Sequence, residues 1–400
     1  MYIPKYYIGI DFGHDETYVS RVSGTHINGE LIISRVPLLV GDSLNPRILS
    51  AIYRDDNGNW QLVRSKNDLI NPDVMKGFNG IIETLTYAQR EALREFARLV
   101  FKTILENDNE LMYNQETGEA NFVICIATPF SWCNQHSMNP KEYLSFFQNE
   151  AGIKPAEMCI NEFDAAYYSI SQHIEPEDKV LIIGLSSKTI DFRTFYKHTV
   201  IHDCSWGDYL RSSIEEKIIE YGYMKAEERE ENVRNMEIVI EARNSQGLGT
   251  RSVEEALYFA VRSEMELIFS GLHTELEIMV RFRDLVPGWV PRSAIAFSLF
   301  LDSHEVEYII KDYISDLSIA LSNARKKIRD FGISPNKIIL LGNSNRMPFV
   351  RQLVEKEFPE SELFLTLEDV VSDGAALCAE SFYRSHNVYK NIQGVFLHSS

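Results

Sequence analysis

The sequence is poor in cysteine and in positive charge, and both shortages argue against whole classes of protein. Its five cysteines form no CxxC pair, so free thiols in a reducing compartment are expected rather than a metal site or a disulfide framework. Lysine and arginine number 40 against 58 acidic residues, which gives a formal net charge of −18. A surface that binds nucleic acid or an anionic membrane needs surplus positive charge, so neither is an expected partner.

Long apolar runs are also missing. The first run ends at Asp11, which is too early for a signal peptide, and no later run approaches the roughly 20 residues of a transmembrane helix. The cytoplasm is therefore the expected location. The composition of the 400-residue chain, 44% hydrophobic and 24% charged, predicts a globular protein. Two domains are expected, because one core rarely serves so long a chain.

The pattern of predicted elements restarts near the middle of the chain. Alternating apolar residues predict a hairpin from Tyr6–Phe12 and Thr17–Val22. The polar, proline-bearing segment 174–178 ends the first half, and a second hairpin follows at 179–185 and 189–196. We expect a duplicated α/β unit with a ligand in the cleft between the copies.

The remaining segments predict further helices and strands. Expected helices span 87–106, 141–151, 162–172, 206–222, 225–242, 252–269, 305–331 and 347–358, and a capping box at 366–369 opens a last helix. Expected strands span 48–54, 60–63, 121–127, 157–160, 275–282, 294–301 and 337–341.

Two local motifs could carry chemistry, and each also has a purely structural interpretation. Asp11-Phe-Gly13 ends a strand, where a carboxylate suits a hydrated divalent cation and the N–H groups of the turn suit a phosphate. A plain turn has the same composition. Asn161-Glu162 joins a strand to a helix, so Glu162 could orient a water molecule, or Asn161 could simply cap the helix.

A third motif runs from Ile338 to Pro348. An apolar strand leads into a loop of small residues at Gly342, and a helix starts with Pro348 in its first turn. A loop at a helix N-terminus suits a phosphate or a nucleoside, and an ordinary β–α connection explains the same residues equally well.

Together, six segments in one order resemble the ATPase domain of the DnaK-type heat-shock chaperones, within the actin-like ATPase superfamily. They are Gly9–Gly13, Phe122–Phe130, Cys159–Ala166, Leu181–Asp191, Leu340–Pro348 and Leu367–Ala376, and they span almost the whole chain. The resemblance implies duplicated ribonuclease-H-like domains around a nucleotide cleft, formed by 1–175 plus 368–400 and by 176–367. It also implies ATP and Mg²⁺ as cofactors.

The resemblance further implies roles for individual residues. Asp11 would hold the cation through water, and Glu162 and Asp191 would belong to the same hydrated network. Lys76 is the candidate for the catalytic lysine of the family. The residues expected near phosphate or adenosine are Gly13, Ser186, Ser187, Lys188, Thr189, Arg262, Gly342, Ser344 and Arg346, with Thr189 on the γ-phosphate side and Arg346 near the base.

The sequence departs from the family in both phosphate loops. Gly184 stands where the second loop of the family has an aspartate that helps to organise the attacking water, although a glycine there could also serve packing. Residues 186–188 replace glycines, which let backbone N–H groups approach a phosphate. Lys188 could supply charge to a phosphate or lie in solvent. In the first loop, Asp15 and Glu16 add negative charge that would repel a triphosphate unless a cation intervenes.

These departures predict an ATP-binding protein with slow or absent hydrolysis, in which domain closure signals to an unidentified protein partner. The chain ends soon after the last ATPase-type helix, so no peptide-binding domain is expected. Three alternatives stay open. They are a competent ATPase that could form filaments, a scaffold without nucleotide, and a small-molecule kinase, for which the sequence identifies no substrate-facing base.

Overall fold

The computed structural model describes residues 4–13, 16–27, 30–35, 38–40, 43–45, 47–55, 57–63, 74–76, 85–128, 140–185, 190–206, 213–225, 229–247, 251–269, 275–286, 288–289, 294–342, 347–364, 370–384 and 395–397. Over these ranges the chain is a mixed α/β protein with several sheets, which confirms the α/β part of the expected fold class.

In chain order, the strands are β1 Tyr6–Phe12, β2 Glu16–Ile27, β3 Glu30–Arg35, β4 Leu38–Val40, β5 Ser43–Asn45, β6 Arg47–Leu49, β7 Ala51–Arg54, β8 Trp60–Leu62, β9 Met75–Lys76, β10 Phe122–Thr128, β11 Ala156–Asn161, β12 Lys179–Leu185, β13 Ile190–Tyr196, β14 Thr199–Trp206, β15 Leu276–Arg281, β16 Ile295–Leu301, β17 Lys337–Leu341, β18 Glu362–Phe364 and β19 Val395–Leu397. The helices are α1 Tyr87–Asn107, α2 Pro140–Ser145, α3 Glu162–Ser169, α4 Ile214–Met224, α5 Arg229–Ser245, α6 Arg251–Phe269, α7 Phe282–Leu285, α8 Ser303–Asp330, α9 Pro348–Glu357 and α10 Val370–Arg384. A π-helical turn at Phe146–Glu150 extends α2, and a 3₁₀ turn at Ser171–His173 follows α3.

The first sheet has the strand order β19-β11-β10-β1-β2-β3, with β6 paired to β2. β1, β2 and β3 form an antiparallel meander, and β10 and β11 continue on the other side of β1 as parallel strands. Parallel strands in the middle of a sheet are covered on both faces, so their sequences are apolar throughout. β10 fits this rule, because all of its residues are buried.

The second sheet repeats this order and these directions. Its strands run β14-β13-β12-β17-β18, with an antiparallel meander from β12 to β14 and the parallel strands β17 and β18 beyond β12. The restart that the sequence predicts at Lys179 is the first residue of β12. The same five-strand topology therefore occurs twice in the chain.

Helices α3 and α10 lie between the two sheets. A single core cluster joins both helices to inward-facing residues of both sheets, among them Tyr7, Val22, Ile160, Val180, Ile182 and Ile339. The opposite face of the first sheet packs against α1 and the residues around α2, and that of the second sheet packs against α4 to α6, α8 and α9.

Two glycines allow this close packing. A Cβ on Gly374 of α10 would stand 1.6 Å from the carbonyl oxygen of Ala165 in α3. A Cβ on Gly9 of β1 would stand 1.9 Å from the carbonyl oxygen of Ser372 in α10. Real Cβ atoms do not approach an oxygen so closely, so backbone meets backbone at both points.

A side-chain amide of α5 bonds to the edge of β16 that does not pair with β15. Asn232 of α5 accepts from Ser298 N at 3.0 Å and donates to Ser298 O at 2.7 Å, as a neighbouring strand would. Asn235, three residues later, donates to Ile295 O at 3.1 Å. These bonds satisfy backbone groups that would otherwise remain available for pairing with another chain.

Several predicted boundaries were wrong. The helix predicted for 206–222 begins only at Ile214, where Ser213 and Glu216 form a capping box, and Trp206 instead ends β14. The next helix lies at Arg229–Ser245 rather than at 225–242. The predictions missed β3, β14, β18 and β19, which occupy the four outer edges of the two large sheets. The capping box predicted at 366–369 lies outside the described residues.

None of the helices in the described part of the chain combines the length and the apolar content that crossing a membrane requires.

Substitution of Gly374 by alanine tests the contact between α3 and α10. Helix propensity alone would make alanine the better residue by about 1 kcal/mol. Because the added methyl group meets backbone rather than a side chain that can rotate, we expect Gly374→Ala to cost about 3 kcal/mol or more, or to prevent folding. Urea unfolding followed by circular dichroism gives the sign, and a variant as stable as the wild type would contradict the contact.

Candidate functional site

Three parallel strands of the first sheet end together. Asp11 of β1 lies in register with Ala127 of β10, and Ala127 with Ile160 of β11. One step further along, Thr128 pairs with Asn161, and α3 begins at Glu162. The structure therefore brings the predicted site residues Asp11 and Glu162 to one carboxyl edge, which is the edge of an α/β sheet where ligands bind.

Asp11 lies on the face of β1 that carries Gly9, because successive side chains alternate along a strand. That face packs against α10. Asp11 keeps part of its surface exposed, but the surrounding protein removes enough water to raise the pKa of its carboxyl to about 7. Desolvation opposes the charged form, so the carboxylate is costly in the absence of a compensating positive charge.

The second sheet meets this edge at Gly184. A Cβ on Gly184 would stand 2.6 Å from Cζ of Phe163, the second residue of α3, which is 1% exposed. Asp191 is the antiparallel partner of Gly184 and shares its face, so Asp191 lies on the side of the sheet that packs against α3. Gly184 thus serves packing, which is one of the two interpretations that the sequence allows.

A buried ion pair joins α3 to the second sheet beside these residues. Nη1 of Arg193, in β13, donates to Oδ1 of Asp164 at 2.7 Å, and the two side chains are 8% and 1% exposed. Asp164 lies two residues after Glu162, and Arg193 lies two residues after Asp191. The ion pair therefore joins α3 and β13 close to Glu162 and Asp191 in the chain.

Gly342 and Gly13 lie where predicted loops begin, and the backbone around each of them is closely packed. Gly342 has φ of 93°, and a Cβ there would stand 2.2 Å from the carbonyl oxygen of Leu185. The loops after β12 and β17 therefore begin in contact with each other. At Gly13, a Cβ would stand 2.5 Å from the carbonyl oxygen of Glu16, so this turn is equally tight. The predicted site residues Ser186, Ser187, Lys188, Thr189, Ser344 and Arg346 lie outside the described residues.

Lys76 and Arg262 lie on elements outside the two large sheets. Lys76 lies on β9, opposite Ala51, in the three-stranded sheet β8-β7-β9. The apolar cluster of that sheet packs against Tyr258 of α6. Arg262 donates to the hydroxyl of Tyr258 at 3.2 Å and lies 3.9 Å from Glu215.

Glu16 does not add uncompensated charge to the first loop. Oε2 of its buried carboxylate accepts from Arg47 at 3.0 Å and from the hydroxyl of Tyr18 at 2.8 Å. The guanidinium of Arg47 is thus a cation that offsets the charge of Glu16, and it would reduce the expected repulsion between this side chain and a triphosphate. Asp15 lies outside the described residues.

The described residues at the carboxyl edge would offer a cation one desolvated carboxylate, that of Asp11. Among the described residues, no group of three or more His, Cys, Asp or Glu side chains is placed to hold a metal ion. Asp11 offers one carboxylate whose charged form a nearby cation would stabilise. These residues fit Mg²⁺ held through water.

No protein-family model matches the sequence, and no curated protein matches it either.

Sequence reasoning missed Phe163 and the Asp164–Arg193 pair. A phenylalanine in the first turn of a helix is typical of a hydrophobic core. The local sequence pattern does not indicate its contact with Gly184, which is 21 positions away in the sequence. The one available signal was Arg193, a charged residue within the apolar alternation of β13. A charge at such a position requires a buried partner.

The contact between Gly184 and Phe163 can be tested by a double-mutant cycle. We expect Gly184→Ala to destabilise the protein by about 1–3 kcal/mol, because its methyl group overlaps the phenylalanine ring. Leucine at 163 lacks the overlapping ring atoms, so Gly184→Ala should cost less in a Phe163→Leu background. Urea unfolding of the four proteins measures the coupling, and strictly additive costs would contradict it.

Because burial raises the pKa of the Asp11 carboxyl, we expect the stability of the protein to depend on pH in an unusual way. The pKa of this carboxyl is about 7 in the folded protein and about 3.9 when unfolded, so the folded state binds more protons between these values. Stability from this group therefore falls as pH rises through that window. We expect Asp11→Asn to change little below pH 4 and to stabilise the metal-free protein above pH 7, by on the order of 2–4 kcal/mol.

Denaturant unfolding at several pH values, with EDTA present, measures this difference. Glu355→Gln is the control, because it removes one carboxylate from an exposed position on α9. An Asp11→Asn effect of equal size at every pH would show that the carboxyl is not desolvated.

Proposed function

We propose that the chain is an ATP-binding protein of the actin and heat-shock-chaperone ATPase superfamily, with slow or absent hydrolysis. The observation that carries the proposal is the five-strand topology that occurs twice, with the carboxyl edge of the first sheet next to Gly184 of the second. This arrangement supports two ribonuclease-H-like domains, one formed by 1–175 plus 368–400 and the other by 176–367. The packing of α10 against β1 supports the return of the chain to the first domain.

Nucleotide would bind where the two sheets meet. Asp11 would hold Mg²⁺ through water, with Glu162 and Asp191 in the same hydrated network. The loops 186–189 and 343–346 would line the phosphates and the adenosine, since they begin at the contact between Leu185 and Gly342. When bound, Mg²⁺ would neutralise phosphate charge, which is the main requirement of phosphoryl chemistry.

Slow hydrolysis follows from the surroundings of Gly184. The family has a carboxylate at this position, whereas here the ring of Phe163 fills the space beside the backbone. A positioned acid or base contributes about 10²–10⁴-fold to a rate. Its loss would leave binding intact and turnover slow, and no side chain can be added at 184 without displacing the ring.

The contact at Tyr258 supports domain closure. Tyr258 belongs to α6, in the second half of the chain, and packs against Ala51, Val63 and Val74 of the small three-stranded sheet in the first half. The two halves are thus joined both at α3 and at this second point. A nucleotide that favours or disfavours the second contact would change the angle between the domains, which a protein partner could detect.

Thermal melting with ATP, with and without Mg²⁺, tests the proposal. At about 100-fold excess over its Kd, a ligand specific to the native state contributes about 2.7 kcal/mol, so Mg-ATP should raise the melting temperature by a few degrees. Asp11→Ala should reduce the Mg²⁺-dependent part of the shift, while Glu355→Gln should leave it unchanged. Phosphate release should be slow.

Each contrary result selects an alternative. No shift with either form of ATP would favour a scaffold without nucleotide. Phosphate release at ordinary ATPase rates would favour a competent enzyme and refute the role assigned to Gly184. Sedimentation at several concentrations then tests for filaments.

A further inference from the structure

Asn161 has a buried donor that the fold does not use. It is the last residue of β11, and its side chain is the N-cap of α3, where Oδ1 accepts from Phe163 N at 2.8 Å. The residue is 1% exposed. Among the described residues, its Nδ2 has no hydrogen-bond partner.

Capping alone does not explain an asparagine at this position. Serine and aspartate cap helices as well as asparagine does, and neither would leave a buried N–H₂ group behind. A buried donor without a partner is unfavourable, and native proteins rarely retain one unless a ligand, ion or water satisfies it.

The neighbours of Asn161 indicate what would satisfy this donor. Asn161 pairs with Thr128, and Asp11 lies one strand further along the same edge. The hydroxyl of Thr128 donates to Ile160 O at 3.2 Å, so it points its hydrogen away from the amide. Glu162 follows directly. Nδ2 therefore belongs to a residue at the edge where the three strands end, two strands from Asp11 and next to Glu162 in the chain.

This mixture of charges selects one ligand chemistry. The carboxylates of Asp11 and Glu162 would repel a bare anion, and the amide donor would not suit a bare cation. A water molecule bound to a metal has its oxygen lone pair engaged and is a poor acceptor. A phosphate oxygen is a strong acceptor, and a divalent cation bound with it would offset the carboxylates.

We propose that Asn161 Nδ2 donates a hydrogen bond to a phosphate oxygen of a Mg²⁺-bound polyphosphate at the carboxyl edge of the first sheet. The inference rests on the proposed function, since it assigns a further binding residue to the same site. It also gives Asn161 two tasks, because one amide both caps α3 through Oδ1 and contacts the ligand through Nδ2.

Two substitutions separate these tasks. Asn161→Ser keeps an oxygen that accepts from Phe163 N and removes Nδ2. Asn161→Asp also keeps the cap, and it places an acceptor with negative charge where the donor was. Asn161→Ser should melt at or above the wild-type temperature, because it removes an unsatisfied donor. Asn161→Asp should melt at a lower temperature at neutral pH, because it buries a carboxylate at a position that is 1% exposed. If the serine variant folds poorly, the aspartate variant still tests the proposal, because aspartate is as good a cap.

Isothermal titration calorimetry with Mg-ATP, Mg-pyrophosphate and adenosine measures the effect. A hydrogen bond to a charged group is worth enough that Asn161→Ser should weaken both phosphate ligands by about 10–100-fold, and Asn161→Asp should weaken them further. Adenosine affinity should not change. The matched control is Asn235→Ser, which removes a buried amide donor from α5, so it should lower stability and leave every affinity intact.

The outcomes distinguish this inference from the proposed function. If the wild type binds Mg-ATP and both Asn161 variants bind it equally well, the inference is wrong and the function stands. If the wild type binds Mg-pyrophosphate without preference for ATP and the variants bind it less tightly, the inference stands and the nucleotide assignment is wrong. If the wild type binds neither ligand, both are refuted.

Discussion

The close approach of α3 and α10 is the constraint on which the rest of the structure depends. Gly374 brings the backbones of these helices into contact at Ala165, and Gly9 brings β1 equally close to α10. Both helices lie between the two large sheets and share one core with them. Because backbone atoms cannot rotate away as side chains can, the spacing between the sheets is set by these contacts rather than by adjustable packing.

The buried pair of Asp164 and Arg193 gives this spacing a defined orientation. Apolar surfaces can slide over each other at little cost, whereas a buried guanidinium must meet its carboxylate, and breaking such a pair costs about 3–5 kcal/mol. Glu162 and Asp191 each lie two residues from a member of the pair. A movement of the second sheet relative to α3 would therefore strain the pair before it separated the two acidic side chains. The pair therefore orients α3 against β13 at positions two residues from Glu162 and Asp191.

The elements that could be predicted from the sequence are those with a strong local pattern of apolar residues. The two hairpins, the restart at Lys179 and the central strands have strong apolar patterns because they are covered on both faces, and the structure places them where they were expected. Four of the missed strands, β3, β14, β18 and β19, are edge strands of the two large sheets and pair on one side only, and the short strands β4, β5 and β9, also missed, lie outside these sheets. The contact between Gly184 and Phe163 was also beyond local pattern, since it joins residues from different halves of the chain. The structure shows a packing contact at Gly184 and a helix cap at Asn161, and these contacts are compatible with the roles proposed for the same segments.

The electrostatics of the first loop favour the proposed cation. Glu16 and Asp11 lie close in sequence, but their carboxyl groups have different electrostatic environments. Glu16 has a guanidinium partner of its own in Arg47, whereas desolvation dominates the environment of Asp11 and raises the pKa of its carboxyl to about 7. A fold that needed only stability would gain from asparagine at this position, because an uncharged amide avoids the cost of desolvating a carboxylate. The cost is explained if the charge is compensated only when a ligand binds, and a hydrated divalent cation carrying a polyphosphate would provide that compensation.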